Sequence, residues 1–477
     1  MNKNYDEANR KSIEEYARKL IGTSLLESLG EKTVQNEMSS KGKGKLGNLV
    51  EEKYFGYKVN SKKEADFKNA EVELKVAPLK RIAIKEKSKL LREREGLSAK
   101  ERIVLTIINF FEVGEENWEN NSLFKKCKEL LLMFYIYEKD KLPEELLFRI
   151  VSLWKPSEAD MRVIENDWKI INEKIKNGRA HEISEGDTMY LGACTKGSTA
   201  EKSKRKQPFS NILAPQRAFC YKNSYVNFII EELLKKELYR EKPKKITSKN
   251  IDTEGTETFD KVVLEKFNSL ENMNIIEIKN LFNIERERKA KHYMRLITED
   301  ICTVLFGDKL SKLDEFKKAQ IELKVIVTQP DGMPKESMSF EQIDYCDIVT
   351  QEWDDSDIKS KFENKKFLWV IYKAKKHYLK QEELSLDEIV FDKAMFWNMP
   401  ICDLENSLAY VWNDTVEKIR RGDYDNFIQI SDGKKIHIRY KGKDSKDKAA
   451  TIQGHLERKR CFWLNNDYVK SQIDLKR

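Results

Sequence analysis

Proline and glycine are scarce in this chain, 9 and 19 among 477 residues, which argues against collagen-like, Pro-rich and low-complexity architectures and favours long regular elements. Cysteine is sparse and lacks pattern. Its seven positions, 127, 194, 220, 302, 346, 402 and 461, include no Cys-x-x-Cys pair, so a disulfide framework and a structural zinc site are both unexpected. The five histidines, at 181, 292, 377, 437 and 455, have no partners at metal-ligand spacing, which disfavours a histidine-metal nuclease or a zinc hydrolase. Long apolar runs are missing too. The longest, Leu130 to Tyr137, falls far short of the ~20 residues that a membrane span needs, and the start, MNKNYDEANRK, lacks the apolar core of a secretory signal. A cytoplasmic, reducing location without a membrane partner is the expectation. The glycines of KGKGKLGN (41–48) do not lead into Gly-Lys-Ser/Thr, and no Gly-x-Ser-x-Gly occurs, so neither a phosphate loop nor a nucleophile elbow is indicated.

What the chain has in abundance is charge. Charged residues make up 36% against 40% apolar, with Lys and Arg exceeding Asp and Glu by 89 to 81, well above the usual ~25% charged. The excess of +8 suits a nucleic-acid binder but does not single one out. Length alone suggests about three domains.

An internal repeat changes that count. DFKNAEVELKV, Asp66 to Val76, aligns without a gap to EFKKAQIELKV, Glu315 to Val325, and Phe, Lys, Ala, Glu, Leu, Lys and Val recur in place. Further pairs follow in the same order: KCKELLLMFYIY from Lys126 with KFENKKFLWVIY from Lys361, NDWKIINEKIKNG from Asn166 with NDTVEKIRRG from Asn413, ISEGDTMYL with ISDGKKIHI, and CYKNSYV with WLNNDYV. The chain reads as one domain written twice, residues 1–240 and 257–477. The proline, lysines and small polar residues of 241–256 form the linker.

Within the first copy, amphipathic helices are expected over 6–20, 46–55 and 167–176. A strand with period two is expected over 71–76, and apolar strands over 102–111 and 130–137. Strands mixed with helices in this order indicate an α+β domain with a mixed sheet flanked by helices.

The sharpest chemical signal is Asp66 followed by Glu73-Leu74-Lys75. Residues two apart on a strand share a face, so Glu73 and Lys75 project together, and Asp66 joins them from the preceding bend. Carboxylates with few other ligands suit Mg²⁺, which polarises a phosphoryl oxygen and lowers the pKa of water, while Lys75 offsets charge at phosphorus. These parts fit phosphodiester hydrolysis. The bland alternative is a solvated cross-strand ion pair. Glu51 or Glu52 on the helix GNLVEE, and Lys126 opening the apolar strand expected beside 72–76, stand within reach of the same group.

The segment YLGACTKGSTAEKSKRKQP (190–208) supplies Thr195, Lys196, Lys202, Lys204, Arg205 and Lys206 in a Gly/Ser/Thr context, followed by Arg217 and Lys222 among aromatics. Such a loop follows phosphates and reaches base edges; a flexible basic loop in front of a core strand is the plain alternative.

GNLVE (47–51), Asp66, VELK (72–75) and Lys126 together resemble the MutH mismatch-repair nuclease and the related type II restriction enzymes of the Sau3AI type, which carry two MutH-like halves. HEISEG (181–186), CTKG (194–197), QRAF (216–219), FWNMP (396–400) and FWLNNDY (462–468) extend the likeness over essentially the whole chain. The resemblance implies two tandem restriction-endonuclease-like domains and Mg²⁺-dependent cleavage of double-stranded DNA at 5′-GATC-3′. It implies Asp66, Glu73 and Lys75 as the catalytic trio, Glu51 as a further metal ligand and Lys126 as an additional lysine. Lys196 falls in the base-reading loop, where Cys194 stands in place of an arginine. The second half is implied to be a regulatory DNA-binding domain. Its pseudo-site keeps Glu322 and Lys324, but Glu315 replaces the aspartate and Thr298 the upstream acid. A Glu carboxylate, one methylene further out, misses the ~0.5 Å tolerance of a preorganised site, so this copy is expected to bind DNA without cutting it. The expectation is a type II restriction endonuclease, monomeric in solution, engaging two sites and free to dimerise on DNA. A non-catalytic DNA-binding protein and a partner-activated nicking enzyme are the alternatives.

Overall fold

The computed structural model describes residues 5–30, 44–57, 64–82, 94–113, 115–196, 203–239, 259–288 and 292–475. The chain divides into two compact units, Met1–Thr247 and Ser248–Arg477; the expected linker, 241–256, lies outside the described residues. Among the described residues no helix is long and apolar enough to cross a membrane.

The first unit opens with helix α1 (Arg10–Arg18), whose N-terminus is capped by the Asn9 side chain accepting from Lys11 N and Ser12 N, donors a helix cannot satisfy internally. Helix α2 (Lys45–Leu49) runs on into a π-helical turn, Val50–Tyr54. Strands β1 (Glu73–Arg81), β2 (Leu97–Ala99) and β3 (Ile103–Ile107) follow, then α3 (Ser122–Cys127), β4 (Leu130–Ile136), β5 (Phe148–Trp154) and the long helix α4 (Glu158–Lys176). The unit closes with β6 (Leu191–Thr195), β7 (Lys204–Gln207), β8 (Ser210–Pro215), β9 (Arg217–Tyr221) and α5 (Asn223–Tyr239). The main sheet has the order β2-β1-β4-β5. β1 and β4 pair in parallel, and the outer pairs are antiparallel. A second, antiparallel sheet has the order β3-β9-β6, and β7-β8 is a separate hairpin.

Three expectations change here. Residues 71–76 do not form a half-solvated strand. Glu71 sits at φ +55° in the turn, the strand begins at Glu73, and Glu73, Leu74, Ala77 and Leu79 on it are all buried. The apolar run 102–111 is not one central strand. β3 is an edge strand ending at Ile107, and the Asn109 side chain accepts from Phe111 N to start a helical turn over Phe110–Val113. Helix α4 begins nine residues earlier than the apolar spacing suggests, at the point where Ser157 accepts from Asp160 N at 3.1 Å.

The second unit repeats the plan. Its described elements include α6 (Tyr293–Phe306), β10 (Glu322–Thr328), β11 (Met338–Gln342), α7 (Asp357–Asn364), β12 (Phe367–Ala374), β13 (Ile389–Trp397) and α8 (Ala409–Arg421). They continue with β14 (Ile436–Tyr440), β15 (Lys448–Ala450), β16 (Leu456–Arg458), β17 (Arg460–Leu464) and α9 (Asn466–Asp474). The sheets have the orders β10-β12-β13 and β11-β17-β14, with the hairpin β15-β16.

The duplication extends to register and to buried polar bonds. Glu73 is paired with Leu130, the first residue of β4, and donates its N–H to Glu129 O at 3.0 Å; Glu322 is paired with Phe367, the first residue of β12, and donates to Lys366 O at 3.0 Å. In each unit an aspartate before or on the long helix accepts a tyrosine hydroxyl from the C-terminal helix, Tyr225 to Asp160 at 3.1 Å and Tyr468 to Asp403 at 2.7 Å. Removing the hydroxyl leaves a buried carboxylate short of a donor. Tyr225→Phe and Tyr468→Phe should each cost about 1–3 kcal/mol, read as an earlier urea transition of the altered unit.

Candidate active site

The site of the first unit is built on the first turn of β1. Glu73 is 1% exposed at the start of β1, where its strand pairs with β4, and a carboxylate withdrawn from water that far needs compensation. Two lysines provide it on one oxygen: Oε1 accepts from Lys75 Nζ at 2.6 Å and from Lys126 Nζ at 3.1 Å. Oε2 is buried and has no hydrogen-bond partner. Lys75 reaches Oε1 from two residues along the strand. Lys126 comes from the last turn of α3, so it precedes β4 rather than opening it.

Asp66 enters from the turn before β1, held by Leu74 N, which donates to Oδ2 at 3.0 Å. Burial, and next the Glu73 charge, pushes its carboxyl up to about 6 against the opposing pull of Lys75, the Leu74 N–H and Lys126. Glu51 projects from the π-helical turn; π turns insert an extra residue and redirect the side chains that follow. Burial, and then Asp66, raises Glu51 to about 7, with Lys75 pulling the other way. Glu52 is exposed, so of the two candidate acids it is Glu51 that faces the group. Tyr57, which sequence reasoning missed, belongs to the same environment. Its hydroxyl is buried without a partner, and burial, followed by Asp66 and Glu51, raises it. Its only signal in the sequence is its place just after the GNLVE helix.

Among the described residues no three His, Cys, Asp or Glu side chains already stand together as a metal-holding group. The residues nevertheless fit a hard divalent cation. The donors are carboxylate oxygens, one of them buried and unpartnered, and Asp66 and Glu51 are raised by burial and then by neighbours of like charge, both of which a cation offsets.

The second unit has the same frame and the opposite electrostatics. Glu322 is ringed by Lys324 at 2.8 Å, Lys365 at 3.2 Å and Lys361 at 3.4 Å. Burial pushes its carboxyl up, but Lys324, Lys361 and Lys365 outweigh that and hold it at about 2. Lys361 is also paired with Glu341. Glu315 is buried on a short helix, Asp314–Lys318. Thr298 is fully buried, donating to Met294 O at 2.6 Å and sharing a 3.0 Å hydrogen bond with the Tyr372 hydroxyl.

The expected DNA-contacting residues separate into two groups. Thr195 at the end of β6, and Lys204 and Arg205 on β7, are exposed, and Lys196 is half-buried; Lys202 lies outside the described residues. Arg217 and Lys222 are corrected: both are buried. Arg217 donates to Ala193 O at 2.7 Å, and Lys222 Nζ donates to Glu185 O at 2.7 Å and Thr188 O at 3.0 Å. They tie β9 and the start of α5 to the neighbouring strand and turn, and their heads are withdrawn from any ligand at the surface.

Comparison with known proteins agrees with this architecture. The family model for the DNA mismatch repair enzyme MutH matches twice, over residues 55–167 and 309–406, once in each unit and across both Glu-Leu-Lys strands. The type II restriction enzyme Sau3AI of Staphylococcus aureus is 29% identical over 98% of both chains. The chain resembles the MutH-like restriction endonucleases over nearly its whole length. The DNA mismatch repair protein MutH of Actinobacillus pleuropneumoniae is 25% identical over 44% of this chain and 89% of its own length. The MutH protein of Shewanella baltica is 22% identical over 49% and 99%. A MutH protein thus spans about half of this chain, as a tandem MutH-like endonuclease requires. On that similarity the protein is a site-specific deoxyribonuclease.

Because Asp66 and Glu51 hold protons more tightly folded than unfolded, the folded protein binds more protons from about pH 4 to about 7, and stability contributed by these groups falls as pH rises through that window. In chelator, the melting temperature should decline from pH 5 to 8. Asp66→Asn and Glu51→Gln should each flatten the decline, and Mg²⁺ should reverse it at pH 8 by binding the folded state.

Proposed function

We propose that the first unit hydrolyses phosphodiester bonds of double-stranded DNA at 5′-GATC-3′ with Mg²⁺. On this reading Asp66, Glu73 and Glu51 hold the ion and Lys75 and Lys126 act beside it. The observation that carries the reading is the Glu73 carboxylate: buried, bound by two lysines on one oxygen and unpartnered on the other, with two further carboxyls raised beside it. When bound, a divalent ion supplies charge neutralisation at the phosphoryl group and a lower pKa for the attacking water.

The protein's own residues do the rest. The Leu74 N–H fixes the Asp66 carboxylate, so its orientation is settled before substrate arrives. Glu73, held in the sheet by backbone pairing, keeps Lys75 and Lys126 aimed at one point. Lys75, partly exposed, can turn its ammonium from Glu73 to the attacking water or to a phosphate oxygen and stabilise the charge that develops there. Lys126, more enclosed, stays on the Glu73 carboxylate when Lys75 moves.

The second unit is, on this reading, a DNA-binding effector without catalysis. Three lysines already neutralise Glu322, the acid at position 298 is replaced by a buried threonine, and nothing remains for a metal ion to relieve. The active form would engage two sites, one per unit, from a protein that is monomeric in solution.

Two measurements test the assignment. On a plasmid with several GATC sites, Glu73→Ala should abolish Mg²⁺-dependent cleavage, and Lys75→Ala should slow it by about 10²-fold or more, whereas Glu322→Ala should leave cutting at GATC intact. The reverse pattern, or no fragments from the native protein in Mg²⁺, would sink it, the latter in favour of a non-catalytic binder or an enzyme that needs an activating partner. A plasmid with one site should be cut more slowly than one with many, and a short GATC duplex added in trans should speed it; equal rates throughout would remove the effector role.

A further inference from the structure

We propose that the β7–β8 hairpin of the first unit is an apolar wedge that enters a groove of duplex DNA, with Phe209 as the side chain that packs against the base stack. The inference rests on DNA being the substrate and concerns a contact away from the carboxylates.

Phe209, in the turn of the hairpin, is 85% exposed, and Ile212 and Leu213 on β8 are 56% and 47% exposed. Three large apolar side chains within five residues make a local patch that folding leaves uncovered, and such patches mark contact surfaces. Phe209 also sits at φ +58°, a region where a bulky L-residue is an outlier and glycine or asparagine fits without strain. The phenyl ring therefore gains nothing from burial and occupies an unfavourable backbone conformation. An outlier of this kind, on a surface turn, points to use rather than to folding.

The hairpin is firmly mounted. Gln207 is buried; its Oε1 accepts from Ala180 N at 2.7 Å, and its Nε2 donates to Ile212 O at 2.6 Å and lies 3.0 Å from His181 Nδ1. Gly178, just past the end of α4, lets the turn press close: a Cβ there would meet Phe209 O at 2.8 Å. At its base the hairpin is tied to the β6–β9 ends by Lys196 N to Gln216 O and Gln216 N to Ser203 O, both 2.7 Å. The backbone is thus fixed while the apolar side chains project.

Charge selects the occupant. Lys204, Arg205 and Lys206 are all exposed along and beside β7, the arrangement that follows phosphates. A second copy of this hairpin would set one basic strand against another. Apolar side chains flanked by cations are how groove-binding proteins wedge between base steps. The second unit carries the same device with different residues: its β15–β16 hairpin, in the same place between the two sheet strands, exposes Ile452 by 45% and Leu456 by 58%, with Lys448 exposed beside them.

The test is base stacking, read with 2-aminopurine placed at successive positions in and beside a GATC duplex, in Ca²⁺ to hold the complex uncut. The native protein should raise fluorescence several-fold at one or two adjacent positions. Phe209→Gly, which suits the turn backbone, should keep or raise the melting temperature, abolish that rise and weaken duplex binding about tenfold; Phe209→Trp should retain it. A Phe209→Gly protein that keeps both the fluorescence response and native affinity overturns the wedge while leaving the nuclease reading intact. So does a variant whose only change is a lost dimer in sedimentation, which would assign the patch to a second copy. Failure of the native protein to cut DNA in Mg²⁺ would instead remove the functional reading itself.

Discussion

A single carboxylate buried at the start of an inner strand is what the first unit is organised around. Glu73 begins the parallel pairing of β1 with β4 and is withdrawn from water there. A charge in that position is tolerated only with partners. Lys75 and Lys126 satisfy one oxygen. The turn that delivers Asp66 and the π-helical turn that delivers Glu51 bring two more acids toward the other side, at a cost visible in their raised carboxyls. The surrounding protein holds a local electrostatic conflict, and a conflict among oxygen donors is resolved by a cation.

The second unit shows how little of the scaffold has to change to cancel that conflict. Strand register, the Glu-Leu-Lys turn of the strand and the buried Asp–Tyr bond are all retained. What differs is charge. Lysines from α7 and from just before β12 close on Glu322 and hold it ionised, and Thr298 is buried with two hydrogen bonds of its own, one of them to Tyr372, five residues along β12 from the residue paired with Glu322. Packing residues and site residues have diverged separately because they answer to different constraints, volume and hydrogen bonding in one case and electrostatic balance in the other.

Much of this was legible in the sequence, and the reasons are local. The repeat shows because seven identities fall within eleven residues without a gap. Glu73 and Lys75 could be placed together because side chains two apart on a strand share a face. Other readings failed where local composition misrepresents surroundings. Arg217 and Lys222 looked like surface cations, yet backbone carbonyls receive their heads inside the unit. The run 102–111 looked like one strand, yet Asn109 ends it by accepting from Phe111 N. Tyr57 and Phe209 had no signature beyond being aromatic.

By itself, the sequence determined that the chain is a tandem α+β protein, and it singled out Asp66, Glu73 and Lys75 as one group. Periodicity and repetition are properties of neighbouring residues and survive without a fold. Only the tertiary structure decided that Glu73 is buried rather than solvated, that Lys126 and Glu51 meet it across the chain, that three lysines neutralise Glu322, and that the β7–β8 turn leaves a phenyl ring exposed. Those outcomes depend on which strands pair and where water is excluded, and the distances involved are set between residues far apart in the chain, beyond what any local window encodes.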